Sequence, residues 1–422
     1  MDRQRFRSIV GGSAGNLVEW YDWYAYASLS LYFAPAFFPA GDRTAQLLNT
    51  AAIFGAGFLM RPVGAWVIGR FADQHGRKAG LALSVALMAG GSLLIACAPG
   101  YGRIGVLAPV LLLVARIIQG FSVGAEYGSS ATYLSEAAPR AQRGFWSSFH
   151  YVSLIMGQLL SLAVLILLQT TLGEQALGAW GWRVPFVVGA VLACVVYLLR
   201  QRIAETESFR AMPAERTRST AAILWRDHRR EALLVAVITA GGSLAFYAYT
   251  TYMQKFLVNT SGFSKPSATG IMTAALLVFL VLQPVFGALA DRLGRKPMLY
   301  LFGIGGMLAT VPVFNAIAVE RDHGAALALV MVPLTALSAY TAIAALLKAE
   351  LFPAHIRTLG VALPYAIGNT LFGGTAEYIA LWLKRSGSEA AFYWYVTAVL
   401  GVATIAFAML PETKLTSLIA ED

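Results

Sequence analysis

GRFADQHGRK, Gly69 to Lys78, returns in the second half of the chain as GALADRLGRK, Gly287 to Lys296. Both segments read GxxxDxxGRK. A second echo, ExxPxxxR, pairs Glu136, Pro139 and Arg143 with Glu350, Pro353 and Arg357 at nearly the same displacement. One motif could recur by chance. Two unrelated motifs at one displacement mark an internal duplication, each copy about half of the 422 residues.

Working outward, each echo follows a long apolar window. Hydrophobic residues make up 58% of the chain and charged residues 13%, against roughly 25% charged in a soluble protein. That balance excludes a soluble enzyme, a disordered chain and a nucleic-acid module. A span needs about 20 apolar residues plus a connection, so the chain holds roughly 12. The windows run near Ile9 to Phe33, Thr50 to Gly69, Ala79 to Cys97, Val106 to Leu134, Gly144 to Leu168 and Val184 to Leu199. A second set runs near Ala232 to Leu257, Ser267 to Leu289, Met298 to Ala318, Ala325 to Leu347, Gly360 to Leu383 and Ala391 to Leu410. The expected fold is all-α and integral to a membrane: twelve transmembrane helices in two pseudo-symmetric six-helix halves, residues 1–199 and 232–422. Residues 200–231, with eight Lys/Arg and five Asp/Glu, form a charged connector in water.

The net charge of +10 is a matter of topology. Twenty-two of the 32 Lys/Arg fall on the side that carries both termini, eight on the other, and Arg61 and Arg116 inside spans. Basic loops stay inside, which places both termini in the cytoplasm and leaves nothing to suggest nucleic acid. The start, MDRQRFR before an apolar run, mimics a signal peptide, but the run continues to about Phe38 and carries Glu19 and Asp22, as a retained first span would. Cys97 and Cys194 lie in apolar runs and give neither a disulfide framework nor metal-ligand spacing.

An ionised side chain at mid-membrane costs at least about 2.5–3.5 kcal/mol, so those present need partners or a wet cavity. Glu19 and Asp22 stand three apart in the first span, on one helix face. Arg61 and Arg116 lie about eleven and ten residues into spans two and four, near half depth. The four are structural ion pairs, or an arginine offers its fork to a substrate carboxylate while an acid takes a proton. A pair that breaks when substrate or proton arrives would do both. Gln119 follows Arg116 by three residues, and Glu126 lies about 15 Å further along the helix, where it relays a proton or braces the helix end. Gly120, Gly124 and Gly128 permit close packing or a rocking contact.

In the second half, Tyr247, Tyr249, Tyr252, Gln254 and Lys255 crowd span seven, with Asn369 and Glu377 in span eleven. They read as an interfacial belt with a snorkelling lysine, or as a second binding wall. Gln158 and His150 in span five could face a cavity, the histidine more in keeping with a structural role.

GxxxDxxGRK between spans two and three, repeated in the second half, resembles the signature of the major facilitator superfamily. GNLVEWYDWY (Gly15 to Tyr24), FLMRPVGAW (Phe58 to Trp66) and ARIIQGFSVGAEYGSSATYLSE (Ala115 to Glu136) are similar to the metabolite:proton symporter family within it. TTYMQKFLVNTSG (Thr250 to Gly262), GIMTAAL (Gly270 to Leu276), KAELFP (Lys348 to Pro353) and AEYIAL (Ala376 to Leu381) extend the likeness through the second half, towards the family's dicarboxylate carriers. The family more often has GGE where Gly124, Ala125 and Glu126 stand. RIIQG resembles the RxxQG pattern of proton-coupled members.

The resemblance implies two halves rocking around a midplane site and import of a small dicarboxylate, 2-oxoglutarate first, together with protons. Citrate, succinate, shikimate, proline or betaine are the alternatives. It supports an arginine holding the anion without choosing between Arg61 and Arg116; the residues themselves offer Arg61, Arg116, Gln119, Gln158, Tyr249, Tyr252, Lys255 and Asn369 for substrate binding, and Glu19, Asp22 and Glu126 for proton coupling. Gly69, Asp73, Gly76, Arg77, Lys78, Asp291 and Arg295 would gate, or would only fix hairpins and obey the loop-charge rule. The expected setting is a bacterial inner membrane, as a monomer in lipid, without cofactor, metal or enzymatic activity. No Walker loop or catalytic constellation argues otherwise. Coupling has an energetic reason: a dianion entering a cell at 100 mV, negative inside, costs about 4.6 kcal/mol, which two co-transported protons cancel.

Overall fold

The structure, a computed structural model, describes the backbone of residues 3–75, 77–123, 126–201, 221–354 and 356–419. Side chains are described from residue 15 onward, save 69–70, 72–81, 126, 129, 133, 137 and 199–201. The first six long helices are α1 (Arg3–Phe37), α2 (Arg43–His75), α3 (Arg77–Cys97), α4 (Leu107–Val123 and Glu126–Ala137), α5 (Phe149–Ala179) and α6 (Val184–Gln201). The second six are α7 (Arg229–Asn259), α8 (Lys265–Leu293), α9 (Arg295–Val319), α10 (His323–Glu350), α11 (357–385) and α12 (Ala390–Met409). Eight described helices are long and apolar enough to cross a membrane. The apolar segments Ala82–Cys97 and Leu107–Val123 are shorter. No strand occurs among the described residues.

Local chemistry sets several boundaries. Ser264 caps α8 by accepting from the Ser267 amide at 3.2 Å, and Asp322 caps α10 by accepting from Ala325 at 2.8 Å. Gly294 separates α8 from α9 at φ +101°, a conformation that a side chain would strain. The Glu412 carboxylate then receives the first amides of α9, Arg295 at 2.8 Å and Lys296 at 2.9 Å. The windows expected from sequence are all present, with irregularities that hydropathy does not carry. α5 is bent at Gly173, and α7 and α11 each contain a π-helical turn, Ala248–Tyr252 and Asn369–Gly373.

Within the first half, α1 packs on α5, α2 on α4, and α3 on α4 and α6; within the second, α9 packs on α10 and α12, and α7 on α11 and α12. The halves meet where α2 abuts α11 and α5 abuts α8. The sequence repeat maps one of these contacts onto the other, so the seam itself is pseudo-symmetric. α1 lies at its centre: every residue from Gly15 to Ala34 except Leu17 is buried. α7 is 78% buried over its apolar window, whereas α8 is only 39%. Peripheral helices instead expose large apolar side chains such as Val281, Leu308 and Ile405, a surface suited to lipid.

Backbones touch at glycines. A Cβ on Gly120 would lie 1.8 Å from the Gly57 carbonyl, and one on Gly64 only 1.9 Å from that of Phe121, so α2 and α4 tolerate no side chain there. Gly120 is therefore a packing residue inside one half. Gly128 faces Thr358 and Ala362 across the seam, and Gly124 lies outside the described residues.

The seam is closed at both ends. At the end carrying the chain termini, called here the terminal end, Glu136 pairs with Arg357 and Asp291 bonds the amides of Gly144 and Phe145. At the far end Arg385 lies 3.5 Å from Asp42, Lys265 lies 3.5 Å from Glu174, and Gln169 donates to Thr269 at 3.2 Å.

Candidate functional site

Between these closures lie two small cavities. One is lined by Asn16, Glu19, Trp20 and Arg61 from the first half with Tyr365 and Ala366 from the second. The other lies between Trp20, Tyr151 and Leu154 on one side and Ser243, Tyr247, Tyr365 and Asn369 on the other. Trp20 and Tyr365 belong to both, so the two form one chamber along the seam. Each holds only about 10 Å³, room for about one water. Anything larger than water enters only when the halves part.

Arg61 is the cation at the chamber wall. It is buried, and its guanidinium carbon sits 4.0 Å from the Phe58 ring centroid and 4.3 Å from that of Trp23. Its Nε and Nη2 have no hydrogen-bond partner. Buried donors left unpaired cost about 1–3 kcal/mol, more when charged, so a planar fork held against aromatic faces here is poised for an anion. Tyr247, from the second half, lines the second cavity with its hydroxyl unpaired. Asn369 stands at the start of the π-helical turn with its Nδ2 unpartnered. Gln158 is buried with neither amide atom paired, one turn beyond Leu154 of the chamber wall.

Arg116 is not at that wall. Its guanidinium lies 3.7 Å from the same Trp23 ring and 4.4 Å from Tyr26, and Nη1 donates to Gln119 Oε1 at 2.7 Å. Gln119 Nε2 donates to Asp22 at 2.5 Å, Ser92 Oγ donates to the other Asp22 oxygen at 2.5 Å, and Arg116 Nη1 is 3.9 Å from Asp22. Gln119 thus bridges Arg116 to Asp22 inside the first half. The expectation that Glu19 and Asp22 act from one face is corrected. Three residues advance a helix by about 300°, leaving about 60° between them. On a helix buried all round this turns Glu19 to the chamber and Asp22 to α3 and α4.

The interfacial belt and the snorkelling lysine are both overturned. Tyr249 is fully buried and bonds Thr310 of α9 at 2.6 Å, and Tyr252 reaches Glu389 at 3.2 Å. Lys255, 1% exposed, pairs with buried Glu377 at 2.5 Å. None of the three lines the chamber, because α7 is central and its outer part faces protein. In the closed chamber the structure therefore joins Arg61, Glu19 and Asn369, with Gln158 one turn beyond the wall. Arg116, Gln119 and Asp22 form a separate group behind Trp23, and Tyr249, Tyr252 and Lys255 stand apart.

The second GxxxDxxGRK is explained position by position. Gly287 lets α8 touch the short helix Arg143–Ser147, where a Cβ would lie 2.5 Å from the Gly144 carbonyl. Asp291 receives the Gly144 and Phe145 amides at 2.7 and 2.9 Å, capping that helix across the seam. Arg295 stays in its own half, 3.0 Å from Asp291 and 3.4 Å from Glu350. The first copy's Gly76 lies outside the described residues, and at Gly69, Asp73, Arg77, Lys78 and Glu126 only the backbone is described. Trp23, Ser92, Tyr127, Tyr365 and Lys348 were not singled out from sequence. Aromatic and serine positions are too common in spans to stand out, and only Lys348, a basic residue near a span end, carried a signal.

The sequence model of the Major Facilitator Superfamily matches residues 17–376. The chain is 53% identical to the alpha-ketoglutarate permease of Escherichia coli K12 over 408 residues, 97% of this chain and 94% of that one. It is 33% identical to a citrate-proton symporter of Salmonella typhi over 95% of this chain and 93% of that one. It is 30% identical to the proline/betaine transporter of Escherichia coli K12, over 94% and 82%. In three dimensions it is similar to the partially occluded, inward-open xylose transporter XylE of Escherichia coli, TM-score 0.79 at 18% identity, over 98% and 99% of the chains. At that identity the likeness shows the fold alone.

Proposed function

The chain belongs to the major facilitator superfamily, and from that premise we propose that it imports 2-oxoglutarate with protons by alternating access. The observation that carries this reading is Arg61: two unpaired guanidinium nitrogens, buried at the wall of a chamber between two halves. The relative of 53% identity supplies the substrate.

Arg61 holds one carboxylate, and Asn369, Tyr247 and Gln158 present polar groups from the facing walls. Asp22 carries the proton. In the closed state its charge is balanced by Arg116 through Gln119, and Arg116 shares the Trp23 ring with Arg61. Substrate arriving at Arg61 and a proton arriving at Asp22 are therefore felt in one cluster, which is how a symporter links two cargoes. Residues 1–199 and 232–422 are the moving halves, with 200–231 as their tether. The terminal end faces the cytoplasm, in a bacterial inner membrane, and one chain makes one pathway. Opening towards the cytoplasm breaks the Asp291 cap and the Glu136–Arg357 pair. No step alters the substrate, and none requires a cofactor.

Competition tests the substrate. Unlabelled 2-oxoglutarate is expected to inhibit labelled uptake at least about tenfold better than citrate, succinate or betaine, one tenfold step being about 1.4 kcal/mol. Betaine as the strongest competitor would move the reading to a zwitterion carrier.

A further inference from the structure

Lys348, near the terminal end of α10, is 1% exposed. Its Nζ donates to the Tyr127 hydroxyl of the opposite half at 3.0 Å and lies 4.6 Å from the Tyr365 ring centroid and 5.9 Å from that of Tyr340. Among the described residues no carboxylate lies within 4.0 Å of it. Desolvating an ammonium costs several kcal/mol unless an anion answers it, and here the Tyr127 hydroxyl and the faces of Tyr365, Tyr340 and, at 5.3 Å, Tyr127 itself do so in part.

The cage has a door. Tyr127 and Tyr365 stack across the seam with centroids 3.4 Å apart and planes 3° from parallel, and both line the chamber beside Arg61. Beyond Lys348 towards the terminal end lie Glu350, whose carbonyl accepts from the Leu418 amide at 3.0 Å, and the Glu136–Arg357 pair. Lys348 therefore sits between the chamber and the exit, hidden by a ring pair that belongs to both halves. Separating the halves at this end parts the rings and removes the hydroxyl.

We propose that Lys348 is an inner carboxylate subsite, uncovered when Tyr127 leaves Tyr365, which takes the substrate anion from Arg61 towards the cytoplasm. This rests on the dicarboxylate reading above. An ammonium suits the role: it is a point charge without the bidentate fork, so it attracts the anion and releases it into water.

The test compares the two faces. Transport of labelled 2-oxoglutarate is measured in right-side-out and in inverted membrane vesicles for the wild-type protein, Lys348→Met and Lys348→Arg. Lys348→Met is expected to raise the half-saturating concentration at the cytoplasmic face about tenfold and to change the outer face less than about twofold, with Lys348→Arg recovering most of the loss. An unshifted inner face in Lys348→Met, beside normal wild-type transport, overturns this inference alone. A loss common to both faces and both variants also overturns it, since that marks a packing residue. A wild-type protein that carries no carboxylate overturns the substrate reading and this inference together.

Discussion

Arg61→Ala is expected to lower uptake of 2-oxoglutarate by at least about 30-fold while the protein still inserts and folds. Removing one partner from a buried charge pair costs about 2–5 kcal/mol, and every 1.4 kcal/mol is about tenfold. The lost contact is the one proposed for the substrate carboxylate, the Nε and Nη2 of Arg61 having no hydrogen-bond partner in the closed protein. Arg61→Lys keeps the charge but loses the planar fork, so an intermediate loss of about tenfold is expected. Initial rates across substrate concentrations in proteoliposomes give both numbers. A normal half-saturating concentration in Arg61→Ala would remove the site from the place assigned here.

Asp22→Asn is expected to abolish accumulation and leave exchange intact. The substitution keeps shape, and the surrounding hydrogen bonds can adjust: the Asn oxygen accepts from Gln119, and its amide donates to Ser92, whose hydroxyl also has the Met88 carbonyl at 3.1 Å as an acceptor. The negative charge that balances Arg116 is gone, as in a permanently protonated Asp22. A carrier fixed in the protonated state still cycles with substrate bound but cannot couple to a proton gradient. Counterflow of labelled substrate should therefore persist, with its pH dependence flattened. Wild-type accumulation by Asp22→Asn would instead send the coupling role to Glu19 or Glu126.

The spans were legible because twenty apolar residues have few other uses, and the duplication because two motifs kept their displacement. The seam was legible only in part. GxxxDxxGRK announces a contact, but nothing in the string says that Asp291 caps a helix of the other half while Arg295 does not cross. Glu136 and Arg357 are visible as members of the ExxPxxxR echo, yet the repeat gives no hint that they pair with each other. At the site, four buried charges marked the right level. Hydropathy could not assign each a face, since α1 is buried all round and its angular register is set by neighbours. Hence Arg61 and Arg116 looked equivalent, and only packing around Trp23 separates the wall residue from the one behind it. Lys255 failed for a related reason: its acid, Glu377, is on a distant span, and a lysine near a helix end reads first as a snorkel.

A proton gradient is expected to drive a dicarboxylate through this chamber. Proteoliposomes holding the purified protein, given an inward proton gradient and labelled 2-oxoglutarate, test it most directly. Accumulation above the external concentration that collapses when an uncoupler is added is the predicted result. Saturable exchange that never exceeds the external concentration, with or without the gradient, would contradict it.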